Sequence, residues 1–203
     1  MGNYEKIENA IRKNDGFITR EEIIDNGIPA SSFSFYSKKM KLEKISPGVY
    51  GTPDFVPDEM AQLQRRYPKA IYYGISALYL LKLTDVIPDY LEVIAPSDYR
   101  IRKDSFRSEL IVHHESKPEL FDFGNAKAKT IFGNEVLCCG MEKTIVEMMR
   151  RRKYFDSDVF VRALRRYWES DEKNLPLLNE YAEKRNLSKE VRDTMEIIAN
   201  DDQ

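Results

Sequence analysis

The chain has 203 residues, a formal net charge of −2, 42% apolar and 33% charged residues. That length holds one large domain or two small ones, and that balance excludes a disordered chain or a disulfide scaffold. No apolar run approaches the roughly 20 residues that span a bilayer, and the polar start MGNYEKIENA has no signal-peptide core, so a cytoplasmic protein with no membrane partner is expected.

Ile7, Ala10 and Ile11 fall at i, i+3, i+4 spacing and predict a first amphipathic helix over 4–14. Asn14-Asp15-Gly16 stops it, and Phe17-Ile18 make a short extended step. Thr19-Arg20-Glu21-Glu22 is a capping-box sequence, predicting a second helix that buries Ile23 and Ile24 and ends at Gly27. Pro29 and Ser31 open a third helix, with Phe33, Tyr36 and Met40 on one face. Leu42–Ile45 and Val49–Thr52 predict two strands around the turn Ser46-Pro47-Gly48. Three helices followed by a hairpin is the order of a winged helix-turn-helix.

Two further helices are expected in PDEMAQLQRRYP and GISALYLLKL. Strands are expected at Tyr90–Ala95, Glu109–His113 and Thr130–Cys139. From Met141 the pattern is helical again, in MEKTIVEMMRRR, DSDVFVRALRRYWES, LPLLNEYAEKRN and SKEVRDTMEIIA. The expected fold class is α+β, with an N-terminal winged helix-turn-helix and a mixed α/β C-terminal domain whose second half is helical. The domains are drawn as 1–82 and 83–203. The adjacent Cys138 and Cys139 lack any Cys-x-x-Cys spacing and read as buried residues on a strand.

Charge is unevenly distributed. The third helix and the strand after it carry Lys38, Lys39, Lys41 and Lys44 against Glu43 alone. A helix of about 10 residues is about 15 Å long and enters a major groove about 12 Å wide. Its face opposite Phe33 offers Ser31, Ser32, Ser34, Phe35, Lys38, Lys39 and Lys41. Hydroxyls serve donors or acceptors on base edges, and lysines contact phosphate or guanine. These residues, with Lys44 on the wing, are the candidate DNA contacts. The alternative is a solvated basic helix used for protein contacts.

These segments together resemble the abortive-infection AbiEi family, the antitoxins and autorepressors of type IV toxin–antitoxin systems. The N-terminal pattern is GFITREEIIDNGIP, a helix, then KLEKISPGVY. The middle is ISALYLLKLTD and YLEVIAPSDYR, and the C-terminal part is MEKTIVEMMRRRK, VFVRALRRYW and LLNEYAEKRNL. The resemblance implies an N-terminal domain that represses its own operon by binding inverted repeats in the promoter. It implies a C-terminal domain that opposes a nucleotidyltransferase toxin in phage defence. A monomer in solution that binds DNA in pairs is expected. Met40 departs from the family's pattern, as do serines in the third helix where relatives carry arginines.

An antitoxin needs no catalytic constellation, and no nucleophile elbow, phosphate-binding glycine loop or metal motif is present in the sequence. No enzyme activity and no cofactor are expected. His113 and His114, adjacent on a strand, should point to opposite faces. Pro88-Asp89 with Glu115-Ser116-Lys117 matches the loose PD…ExK spacing of restriction-like metal-dependent nucleases, the alternative reading. A second basic surface, facing toxin or nucleic acid, is drawn from Arg100, Arg102, Lys103, Arg150, Arg151, Arg152, Arg162, Arg165 and Arg166. Its alternative is a solvated helix face.

Overall fold

The computed structural model describes residues 2–14, 16–46, 48–56, 58–102 and 109–201. Helices and two separate sheets give an α+β chain. It divides into two compact units, Met1–Pro57 and Asp58–Gln203.

The first unit runs α1 (Asn3–Lys13), β1 (Phe17–Thr19), α2 (Arg20–Asp25), α3 (Ala30–Lys39), β2 (Glu43–Ser46) and β3 (Val49–Gly51). The strands pair antiparallel in the order β1-β3-β2, with Ile18 opposite Tyr50. The Thr19 hydroxyl accepts the Glu22 N–H at 3.2 Å, and the Glu22 carboxylate accepts the Thr19 N–H at 2.9 Å. This reciprocal pair satisfies two of the four donors that open α2. Gly27 takes the left-handed conformation (φ 63°) that lets the chain leave α2 and start α3. Pro29 is the N-cap of α3, with no side-chain cap, so Ser31 lies inside the helix rather than at its cap.

Ile7, Ile18, Ile23, Ile28 and Phe33 form this unit's core, with Tyr36 and Met40 packed against it. The expected face of α3 is therefore the one buried. Ile24 departs from expectation: it is 63% exposed. A single step along a helix turns the side chain by about 100°, so Ile23 and Ile24 cannot share the buried stripe of a six-residue helix. A Cβ on Gly51 would lie 2.7 Å from the Phe55 ring, which instead closes over the sheet and packs on Phe17 at 5.2 Å between centroids.

The second unit runs α4 (Glu59–Arg66), β4 (Ile71–Tyr72), α5 (Gly74–Leu80), β5 (Tyr90–Pro96), β6 (Glu109–Glu115), α6 (Pro118–Asp122), β7 (Asn125–Lys129) and β8 (Glu135–Cys139). It continues with α7 (Met141–Arg150), a 3₁₀ turn (Arg152–Tyr154), α8 (Ser157–Glu169), α9 (Leu175–Lys184) and α10 (Ser188–Asp201). The sheet order is β6-β5-β4-β8-β7. The pairs β5/β6 and β4/β8 are parallel, while β4/β5 and β7/β8 are antiparallel.

Residues 58–82, drawn with the N-terminal domain from sequence, pack in this second unit. Asp58 caps α4 through the Ala61 N–H at 3.0 Å and accepts bonds from Thr130 and Asn134. The Gln64 amide bonds both the N–H and the C=O of Leu137, extending β8 by one side chain. The strand β4, two residues long, is the centre of the sheet. The expected strand Thr130–Cys139 is a turn, with Gly133 at φ 84°, followed by β8. Its hairpin partner β7 was not expected.

One apolar cluster joins α4 and α5 to the sheet through Leu63, Tyr72, Leu91, Val93 and Cys138. A second joins α5 to α7–α10 through Leu78, Ile145, Val146, Leu164, Tyr181 and Val191. Cys138 and Cys139 are both free and buried on β8, as expected. Burial pushes each thiol up to about 12.

Candidate nucleic-acid interface and a buried charge network

On α3 the side chains of Ser31, Ser34, Phe35, Lys38 and Lys39 are exposed, as are Lys41 and Lys44 beyond it. Ser32 is half-buried. Phe35 is 62% exposed, an unusual place for so large an apolar ring. Lys38 and Lys39 sit in the last turn, where cations complement the helix dipole. Lys39 is partly engaged, with its ammonium 5.3 Å from the Tyr4 ring centre. Lys41 holds the left-handed conformation (φ 54°) that ends the helix. The Gly48 C=O accepts the Arg20 N–H at 2.6 Å, tying the β2–β3 turn to the start of α2. Pro47 of that turn lies outside the described residues. No helix among the described residues is long and apolar enough to cross a membrane.

The second basic surface is not one free positive face. Arg150 pairs with Glu147 at 2.7 Å and Arg151 with Glu92 at 2.6 Å. Arg152 bonds the Phe155 C=O and the Ser157 hydroxyl, with its guanidinium 4.3 Å from the Phe160 ring centre. On α8, Arg162 pairs with Asp158 and Arg166 with Asp85. Arg165, on the same helix, is exposed. Arg100 and Arg102 follow β5 and line a cavity of about 800 Å³ with Arg66 and His114. Lys103 lies outside the described residues.

The residues behind Arg150 and Arg151 form a network that sequence reasoning missed. Glu92, on β5, is almost fully buried. Its carboxylate accepts the Ile75 N–H at the start of α5 (2.9 Å) and Arg151 Nη1 (2.6 Å), and lies 2.7 Å from His113 Nε2. Burial alone would raise its pKa; the hydrogen bonds from His113, Arg151 and Ile75 outweigh that and hold it below the ordinary carboxylate value. Glu147, on α7, accepts the hydroxyls of Tyr73 (2.6 Å) and Tyr181 (2.8 Å) and the guanidinium of Arg150 (2.8 Å), and pairs with Arg185 (2.5 Å). Burial is again outweighed, here by Arg150 and Arg185 and by the two tyrosines, so its pKa is lowered. Arg185 also pairs with Glu115 at 2.6 Å. Lys143, 1% exposed, donates to the Leu120 and Phe121 carbonyls and to Asn125 Oδ1, three acceptors for its three protons.

His113 and His114 do diverge: His113 turns inward to Glu92, while His114 is exposed. The PD…ExK residues do not converge. Tyr90 is paired with Glu109 and Pro96 with Glu115 in a parallel register. Asp89, just before Tyr90, and Glu115 therefore sit at opposite ends of the strand pair, seven steps or about 23 Å apart along it. Glu115 is committed to Arg185. Among the described residues no group of three His, Cys, Asp or Glu side chains is arranged to hold a metal ion.

No protein-family profile matches the chain, and no curated protein does either. Among solved structures it is similar in fold to the RV2827C protein from Mycobacterium tuberculosis. The TM-score is 0.61 at 15% identity, over 89% of this chain and 71% of that one.

Proposed function

We propose that this chain is a DNA-binding transcriptional autorepressor and antitoxin, in which the first unit is a winged helix-turn-helix. The observation that carries the DNA-binding half is the segregation of α3. Phe33 is buried while Ser31, Ser34, Phe35 and Lys38 are exposed, on a helix without an acid. The order α1-β1-α2-α3-β2-β3 supports it, since the winged helix presents its third helix to the major groove. Serines and lysines then meet base edges and phosphates, and Lys44 reaches the flanking backbone. The repressor would occupy inverted repeats in its own promoter, one copy per half-site. The antitoxin half rests on the sequence resemblance, with a nucleotidyltransferase as the opposed toxin.

The test is an electrophoretic shift of a duplex taken from upstream of the chain's own reading frame, at stated salt. The wild type should shift it, and Lys38→Glu/Lys41→Glu should lose the shift. Each phosphate contact removed should lower the slope of log K against log salt by about 0.9. An unaltered shift in the double variant would sink the α3 assignment. The antitoxin half fails if co-expression gives no rescue from the toxin encoded beside it.

A further inference from the structure

We propose that the second unit carries a separate site for single-stranded nucleic acid, in the cavity at the C-terminal ends of β5 and β6. Crevices outside the carboxyl ends of parallel strands are recurrent ligand sites, and β5/β6 is such a pair. The cavity, about 800 Å³, falls in the size range of ligand pockets.

Its lining is cationic and aromatic. Arg66, Arg100 and Arg102 face it with His114, and among the described residues no acid is part of it. None of these three arginines has a carboxylate partner among the described residues, whereas Arg150, Arg151, Arg162, Arg166 and Arg185 all do. Three unneutralised guanidiniums around one cavity attract a phosphate backbone. Tyr67 and Tyr99 meet edge to face in the same wall, with centroids 6.4 Å apart. The Arg66 guanidinium and the Lys69 ammonium lie 5.6 and 5.8 Å from the Tyr67 and Tyr99 ring centres. Arginines flanking aromatic rings are what sequence-tolerant single-strand binding uses, with phosphates on the cations and unpaired bases on the rings. A duplex, whose bases are already stacked, has none to offer the tyrosines.

The wall is pre-formed. Ser97 donates its N–H to the Glu115 C=O at 3.1 Å, Tyr99 to the Pro96 C=O at 2.9 Å, and Arg102 to the Tyr67 hydroxyl at 3.2 Å. Half-buried Ile101 packs on the sheet's apolar cluster, which leaves its neighbours Arg100 and Arg102 exposed.

The experiment is fluorescence anisotropy of the full chain with a short labelled single-stranded RNA, over a salt series. Unlabelled duplex DNA and inorganic phosphate are the competitors. Arg100→Glu/Arg102→Glu should weaken binding at least about tenfold and lower the salt slope by about 1.4, two single-strand phosphate contacts. Arg100→Gln/Arg102→Gln should weaken it less, and Tyr99→Leu about tenfold with the slope kept. Lys38→Glu/Lys41→Glu should leave RNA binding intact while abolishing the duplex shift, so the two sites fail or hold separately. Unchanged affinity in both Arg100/Arg102 variants, with wild-type circular dichroism, would overturn the site. So would displacement of the RNA by duplex or phosphate at equal concentration.

Discussion

Gly74 and Glu92 are matched by exclusion: a Cβ on residue 74 would fall on the Glu92 carboxylate, which bonds the next N–H of α5. Gly74 also holds φ 53°, a left-handed conformation that costs an alanine about 1–2 kcal/mol. The buried carboxylate, once displaced, would leave Arg151 without its partner. Gly74→Ala should therefore destabilise the second unit by at least about 3 kcal/mol, lowering its melting temperature by on the order of 10 °C. Calorimetry checks this, and a loss near 1 kcal/mol would mean that the carboxylate keeps its place.

Glu92 and Glu147 both have folded pKa values below the ordinary carboxylate value. Groups shifted in that direction stabilise the fold above their unfolded pKa, near 4.3, and lose the contribution as pH falls through the lowered folded value. The chain should thus lose stability steeply below about pH 4. Glu147→Gln should cost about 3–5 kcal/mol at neutral pH, by leaving Arg150 and Arg185 short of a carboxylate, and should flatten the acid limb. Urea midpoints across a pH series read both effects.

Cys138 and Cys139 should be inert while the chain is folded. The thiolate is the reactive form, and both thiols are buried with pKa values near 12. A thiol reagent at neutral pH should modify neither in the native protein and both after unfolding in denaturant. Rapid native labelling would show that β8 opens readily.

The Thr19–Glu22 capping box sets where α2 begins. Thr19→Ala should cost the first unit about 1 kcal/mol, and Thr19→Ser should restore nearly all of it. Denaturant melts followed by amide exchange at Glu22 distinguish a lost cap from a general loosening.

Features set by neighbours in the chain were legible in the sequence. The α2 capping box, the Phe33–Tyr36–Met40 stripe and the helices from Met141 onward all follow from local spacing. Features set by distant partners were not. Arg150-Arg151-Arg152 reads as a positive run, yet Arg151 finds Glu92 59 residues away in the chain. Only the Glu147–Arg150 half, at i,i+3, was visible locally. β4 is too short for any periodicity, and β7, Asn-Ala-Lys-Ala-Lys, has no β-branched residue to mark it. The domain boundary was drawn late because the apolar α5 carries no sign of which core it joins. On α3, exposure of the expected face was legible, while the engagement of Lys39 with Tyr4 was not.

Glu147 touches three parts of the fold at once: Tyr73 beside β4, Tyr181 and Arg185 at the end of α9, and through Arg185 the end of β6. None of these can be released without stranding a charge or a hydroxyl in an apolar surrounding. The sheet and the helical half should therefore open as a single cooperative block. In native-state amide exchange, α7, α9 and β5 would share one opening free energy rather than a ladder of separate ones.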